Sequence, residues 1–599
     1  MNALAPLAIA LPLAAAALLL AIGPKLRNRV PDSVALIVAL ACAALAAVLA
    51  RAALGGPLIE WMGGWRPREG VAIGIAIVVD PAGGGLAAMV CLLFAASFVF
   101  AWGYFAEVGV RFHVLMLLFL AGMVGLCLAG DLFNMFVFFE LMSVAAFSLT
   151  AYRLEASDLE GAMNFTVTNT LGSFFILGGI GLIYGRTGAL NFAQLGHAVA
   201  SLGGDPLVAA SFVMLAVGFL IKGAIVPFHF WLADAHAVAP SPVSVIFSGA
   251  MVALGVFAVA RLFWTVFAFD PALAAPARVI LVDFGAATTL VGAVACLGQR
   301  HLKRLLAFST IAHTGIQLIG IGLMKQEALA GAFLYILGHG LVKGALFMLA
   351  GVLLALCSGI DEIALRGAGR RLPLAAAAFG LAGLLLAGAP IGAADAGLAA
   401  IDRAARETGQ GWLAVVLLAG SALTGAAVLR AGGRIFLGWG PTPGEEEEAP
   451  SEEEREKPDR PVWLMLLPIL VLLVLAIAAP FLVRAQALRA AAAFAGPAGY
   501  AAAVLGGGGG GTAGPALATM PAGGAGSWLA WCSVALALLI AGGELARDRL
   551  PRILLRINHA ATEPVLAVVR LLHNGVIGDY VAWIVIGLAG FAAVFVFGP

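Results

Sequence analysis

The residues able to do chemistry in this sequence are charges set in apolar surroundings. Glu140 sits in GDLFNMFVFFELMSVAAF, behind a run of almost pure Phe, Met, Val and Leu. Lys222 lies in FLIKGAIVPFHFWLADAHAV, five residues before Pro227 and ahead of His229, Asp234 and His236. His339 and Lys343, in YILGHGLVKGALFMLAG, are four residues apart and share one helix face. Lys303 and His313 fall in HLKRLLAFSTIAHTG. An ionisable group inside a membrane-like run is costly and is a functional candidate by default. The chemistry these groups offer is proton transfer. A Glu140–Lys222 pair can hold or release a proton according to how close its partners are. His339 with Lys343 suits a relay better than a metal site, which wants more ligands. The plainer alternatives are a static buried ion pair, a lysine snorkelling from a helix end and, for Lys303, a basic anchor at the inner surface.

The elements that must position these groups are membrane helices. Of 599 residues, 62% are hydrophobic and 11% charged, more apolar surface than a soluble chain of this length can hide. A span needs roughly 20 apolar residues, and on that count there are about sixteen segments. The first is near 3–22 and the last near 576–597. Residues 1–22 lack a basic leading region, so a retained first helix is expected. Pro227 frees backbone carbonyls that are tolerated only beside protein or water, which predicts a broken helix lining a hydrated path. Lys and Arg cluster around Lys25–Arg29, Arg153, Arg300–Arg304, Arg366–Arg371 and Arg547–Arg556; by the positive-inside rule both termini face outside. Residues 70–80 alternate like a short outer strand. The acidic stretch 441–460 reads as an inside linker, and the Gly/Ala-rich stretch 493–526 as an outside one. Six scattered cysteines form no CxxC pair, and the Gly-rich run 506–511 sits in a linker, so neither a metal, a cluster nor a nucleotide cofactor is expected. A net charge of +1 makes nucleic acid an unexpected partner.

Four stretches, GDLFNMFVFFELMSVAAFSLTAYR, IKGAIVPFHFWLADAHAVAPSPVSVIFSG, HLKRLLAFSTIAHTGIQLIGIGL and LGHGLVKGALFMLAGVL, resemble the antiporter-like subunit superfamily. It includes the proton-pumping membrane subunits of respiratory complex I, the A and D subunits of Mrp cation/proton antiporters, and the membrane subunits of group 4 hydrogenases. With GRTGALNFAQL at 185–195, the likeness is nearest the D-type subunits of the Mrp antiporters and covers roughly 70–440. The resemblance implies an all-α polytopic membrane protein. About fourteen core helices would hold two inverted five-helix repeats, near 112–267 and 277–430, each with one broken helix. About two further helices would follow at the C-terminus. The expected organisation is N-terminal helices in 1–110, repeats in 111–270 and 271–440, the acidic linker 441–460, a helix in 461–492, the linker 493–526 and a helix pair in 527–599. The resemblance puts Glu140 on the family's key glutamate, Lys222 on its broken-helix lysine and His339 and Lys343 on the central relay. His229 matches a histidine past the first break. The departures are Asn164 for a lysine in the sixth helix, Ala253 for a Lys or His, and Gly397 for the second broken-helix lysine. Near Pro390, Asp395 is a possible substitute carrier, although an outside loop beside Arg403 is the slightly favoured reading.

The expected function is a proton-translocating, antiporter-like component working with other integral membrane subunits in the lipid bilayer of a prokaryotic plasma (inner) membrane. Its ions would be protons, with Na+ or K+ as the exchanged cation, and any redox chemistry would lie in partners. The alternatives are a degenerate, mainly structural subunit, favoured by Ala253 and Gly397, and a stand-alone secondary transporter. The basic stretch Arg547–Arg570 reads as a docking element.

Overall fold

Backbone groups in hydrocarbon must be satisfied within the chain, so segments this apolar form helices. The computed structural model describes residues 1–26, 29–106, 108–441, 461–506, 528–549, 567 and 575–597. The chain opens with α1 (Leu7–Ile22), α2 (Arg29–Ala52) and α3 (Pro81–Tyr104). Then come α4 (Val110–Leu128), α5 (Leu132–Thr150), α6 (Ala156–Thr187) and the short α7 (Phe192–Leu202). An interrupted pair follows, α8 (Pro206–Lys222) and α9 (Phe230–Val238). Next, α10 (Ser241–Ile246) and α11 (Val252–Thr265) join through a π-turn at Phe247–Met251. The second half has α12 (Pro271–Leu297), α13 (Leu302–Gly322) and α14 (Gln326–Cys357). A second interrupted pair, α15 (Pro373–Leu386) and α16 (Ala393–Glu407), leads into α17 (Leu413–Gly432). Last are α18 (Trp463–Phe494), α19 (Pro497–Leu505), α20 (Trp528–Leu545) and α21 (Ile577–Phe597).

Among the described residues, 14 helices are long and apolar enough to cross a membrane, and α8 and α15 are shorter apolar helices. The sixteen expected segments all fall on these helices, and the protein is an all-α polytopic membrane protein. One order of elements occurs twice: three long helices, an interrupted pair, one further long helix. It runs from α4 to α11, with α7 inserted, and from α12 to α17.

Small residues let these helices approach closely. A Cβ at Gly285 of α12 would stand 2.8 Å from the Gly315 carbonyl oxygen of α13, and one at Gly315 would press on the Gly285 carbonyl oxygen in turn. Buried polar and ionic pairs tie the ends. His113 Nε2 of α4 meets Asp32 Oδ1 of α2 at 2.8 Å. Asp80, which caps α3, pairs with Arg261 of α11. Glu362, in the loop after α14, pairs with Arg430 (3.0 Å) and with Arg434.

The expected strand is present as β2 (Ala76–Val79), and it pairs antiparallel with β1 (Leu58–Trp61). The stretch 493–526 differs from a plain linker at its start. There α18 runs to Phe494 and α19 follows, because Phe494 and Tyr500 close over the Arg261 guanidinium, at 4.2 and 5.9 Å from their ring centroids. Residues 442–460, 507–527 and most of the basic stretch after Arg549 lie outside the described residues.

Candidate functional site

The first interruption begins where α8 ends at Lys222. Ala224 takes a left-handed φ of 51°, which a residue other than glycine rarely adopts and which stops the helix. The turn holding Pro227 docks on α12, with Val226 N–H donating to Thr288 Oγ1 at 3.0 Å. Trp231 of α9 reaches back, and its Nε1–H donates to the Ile221 carbonyl at 2.9 Å, satisfying a freed helix-end acceptor.

Lys222 is fully buried, and its Nζ has no hydrogen-bond partner among the described residues. Four aromatic rings surround it. Nζ lies 4.9 Å from the Phe139 centroid, 5.1 Å from Phe165, 5.5 Å from Phe147 and 6.0 Å from Trp231. Phe165 and Trp231 stack on each other at 4.4 Å. Ring faces attract an ammonium by about 0.5–2 kcal/mol each without accepting its protons. Such a lysine gains or loses a proton without breaking a hydrogen bond. Glu140, half-buried on α5, accepts a short hydrogen bond from Ser173 of α6. It makes no ion pair with Lys222, so the two groups stand separated in this structure.

The centre is built differently. Lys343 is fully buried, and its Nζ donates to the Leu306 carbonyl (2.6 Å) and Ser309 Oγ (2.5 Å) of α13. One turn away, His339 stacks on His313 at 5.1 Å and on Tyr335 at 6.4 Å. Thr424 of α17 gives its hydroxyl proton to Gly420 O, so it accepts from His313 Nε2–H at 3.0 Å; Nδ1 then accepts from the Tyr335 hydroxyl at 2.5 Å. Lys303 is buried rather than a surface anchor, and its Nζ donates to Ala239 O, just past α9, at 3.0 Å. His229 is buried at the start of α9.

Sequence reasoning named His236 among the ionisable groups of this run but gave it no place in the path. It is fully buried, with neither ring nitrogen hydrogen-bonded among the described residues. It stacks at 4.4 Å on Phe347, the ring that also lies 5.3 Å from Lys343 Nζ. It thus stands between the two lysine sites. The aromatic cage was missed too; its signal is the eight-residue spacing of Phe139 and Phe147 on α5.

The second interruption, with Pro390, is made by glycines, Gly388 at φ 82° and Gly392 at φ 96°. Asp395 is not in a loop. It is buried in the first turn of α16, and Arg403 pairs instead with Glu327 at 3.7 Å. Gly397 faces backbone: a Cβ there would lie 2.5 Å from the Gly331 carbonyl oxygen and 2.7 Å from Tyr335 N. Ala253 is buried. Among the described residues, no group of three or more His, Cys, Asp or Glu side chains is arranged to hold a metal ion.

Residues 129–424, which hold both interruptions and Lys222, Lys303 and Lys343, match the family described as NADH:quinone oxidoreductase/Mrp antiporter, TM. The chain is 33% identical to the N subunit of the NADH-quinone oxidoreductase of Desulforudis audaxviator over 457 residues, 75% of this chain and 89% of that relative. It is 30% identical to the D subunit of the Na(+)/H(+) antiporter of Bacillus subtilis, over 56% of this chain and 66% of that protein. Its fold is similar to a chain of the Mrp complex from Dietzia sp., with TM-score 0.75 and 27% identity, covering 84% of this chain and all of that one. The chain belongs to the NADH:quinone oxidoreductase/Mrp antiporter family of membrane subunits.

Proposed function

We propose that this chain carries protons across the membrane through its first half and its centre, as one component of a multisubunit complex of the Mrp or quinone-oxidoreductase membrane-arm type. The observation that carries the reading is Lys222, buried at a helix break among four rings with no hydrogen-bond partner among the described residues. A proton loads Lys222 from the side where Arg300 and Arg304 lie. Approach or withdrawal of Glu140 changes how firmly Lys222 holds it. The proton then passes by water, His236 and His339 to Lys343 and leaves on the opposite face. Lys303 belongs to this path, His229 stands at its start, and Pro227 and Pro390 mark the two breaks. Energy comes from redox partners or from an opposing Na+ or K+ gradient.

The distribution of Lys and Arg supports both termini facing outside, and the bacterial relatives support the plasma membrane of a prokaryote as the location. The repeated order of elements supports two inverted repeats in 111–270 and 271–440. One observation favours the second reading, a mainly structural subunit: the backbone packing at Gly397 leaves no room for a lysine. Proton uptake by vesicles holding the intact complex separates the two. Glu140→Gln assembles and stops uptake if this chain conducts; unchanged uptake makes it a scaffold.

A further inference from the structure

The last helix, α21, lies beyond the stretch that matches the family, yet it touches the first interruption directly. A Cβ at Gly587 would stand 2.5 Å from Phe228 Cε1 and 2.6 Å from Pro227 Cγ, so α21 rests on the turn itself. Two helical turns before it, Tyr580 is 2% exposed and stacks on Phe230 at 4.9 Å and 8°. Its hydroxyl donates to Asp234 Oδ2 at 3.2 Å. Farther along, Phe591 packs on Phe284 of α12 and Phe212 of α8, at 5.5 and 6.4 Å.

Tyr580 also closes a cavity of about 450 Å³ that Ser157, Glu160, Asn164, Asp234 and Arg304 line. Polar groups share its lining with Phe230, Val238 and Phe308, and it is roomy enough for several waters. Asp234 gathers its groups: Arg304 Nη2 approaches at 3.4 Å, Asn164 Nδ2 donates at 3.3 Å, and the Tyr580 hydroxyl completes the set. Its floor is close to the caged lysine in sequence and space. Asn164 precedes Phe165, and Asp234 sits three residues beyond Trp231, the two stacked rings beneath Lys222. Ser157 and Glu160 are exposed at its mouth.

We propose that this hollow is the aqueous proton-entry vestibule of the first half, and that α21 is one of its walls, with Tyr580 a positioning residue that orients Asp234. This rests on the reading that the chain conducts protons through Lys222. The vestibule takes water and protons from the Arg304 face; Asp234 carries the proton toward Lys222, and Asn164, which donates to Asp234 Oδ2, helps hold that carboxylate in place. Gly587 is small so that α21 can lie against the break.

The test uses the intact complex in vesicles, in a Cys532→Ser background because that thiol is exposed. A thiol is placed at Tyr580→Cys or, as control, at Phe591→Cys, and treated with a membrane-impermeant methanethiosulfonate from the Arg304 face. The expected result is rapid labelling at 580 and none at 591. In parallel, Tyr580→Phe, which removes one hydroxyl, assembles normally but slows proton uptake several-fold and shifts its pH profile. No labelling at 580 overturns the vestibule wall. Labelling with wild-type uptake and pH profile in Tyr580→Phe overturns the positioning role. A wild-type complex that moves no protons refutes the functional reading, while the labelling still decides whether α21 walls an aqueous hollow.

Discussion

The two interrupted helices of this chain are built on one plan and finished in opposite ways. The first ends on Lys222 and surrounds it with four aromatic rings; the second puts Gly397 against the backbone of α14. The first break is held by a side-chain hydroxyl, Thr288, and by α21. The second is held by glycines and by α18, since a Cβ at Gly392 would stand 2.9 Å from Ala476 O. Close backbone packing and a buried, unbonded ammonium need opposite environments, one without space and one with a soft polarisable wall. A charge at position 397 would therefore take more than a single substitution, because backbone closes the space there.

The largest effect should come from breaking the second half. Glu362→Gln leaves Arg430 and Arg434 buried without their carboxylate, and stability should fall by about 3–5 kcal/mol. Denaturation of the purified protein in detergent measures it, and a loss near zero would mean the cluster is solvated. Placing a lysine at the second break by Gly397→Lys should come next, at about 3 kcal/mol from overpacking alone. A variant that assembles with unchanged stability would show that α14 and α16 part easily and that the packing of the two halves is alike.

The same logic predicts mildness in the first half. Lys222→Met strands no hydrogen-bond partner and puts an apolar chain among four rings, so stability should change by no more than about 1 kcal/mol while transport is lost. Phe165→Leu, which removes a ring beneath Lys222 and the stack on Trp231, should cost about 1–3 kcal/mol and slow transport without abolishing it. A severe folding defect in Lys222→Met would mean that the lysine is a structural tie.

The smallest effect is at the helix starts. Asp205 caps α8 through Leu207 and Val208 N–H, whereas α15 has no side-chain cap. The hydrogen bond from Arg186 holds the Asp205 carboxyl below its usual range. Because the folded value is depressed, this stabilisation is full above the usual carboxylate pKa and fades as pH falls through the lowered one. Asp205→Asn should therefore remove a small stabilisation near neutral pH and none in strong acid, as melting curves across pH would reveal.

Much of this was legible in the sequence because spans depend on composition and length alone. All sixteen segments, the first break at Pro227 and the apolar setting of Glu140, Lys222, His339 and Lys343 follow from local runs, whereas the second break was expected only from the family resemblance. The partners do not, because they come from distant helices: Ser173 for Glu140 and Thr424 for His313 are 33 and 111 residues away. Tyr580 is 346 residues from Asp234. Asp395 was misplaced because Gly392 and Ala393 resemble loop, yet α16 begins there and buries the carboxylate. The strand β1 lacked a pattern of its own and exists through its pairing with β2.

Conduction through the first half is decided by comparing Lys222→Ala with Asp395→Asn in proton uptake by vesicles containing the intact complex, with assembly checked in each. Lys222→Ala should abolish uptake, while Asp395→Asn should leave most of it. Equal uptake in both variants, or loss only with Asp395→Asn, would refute this and move the path to the second half or to a neighbouring protein of the complex.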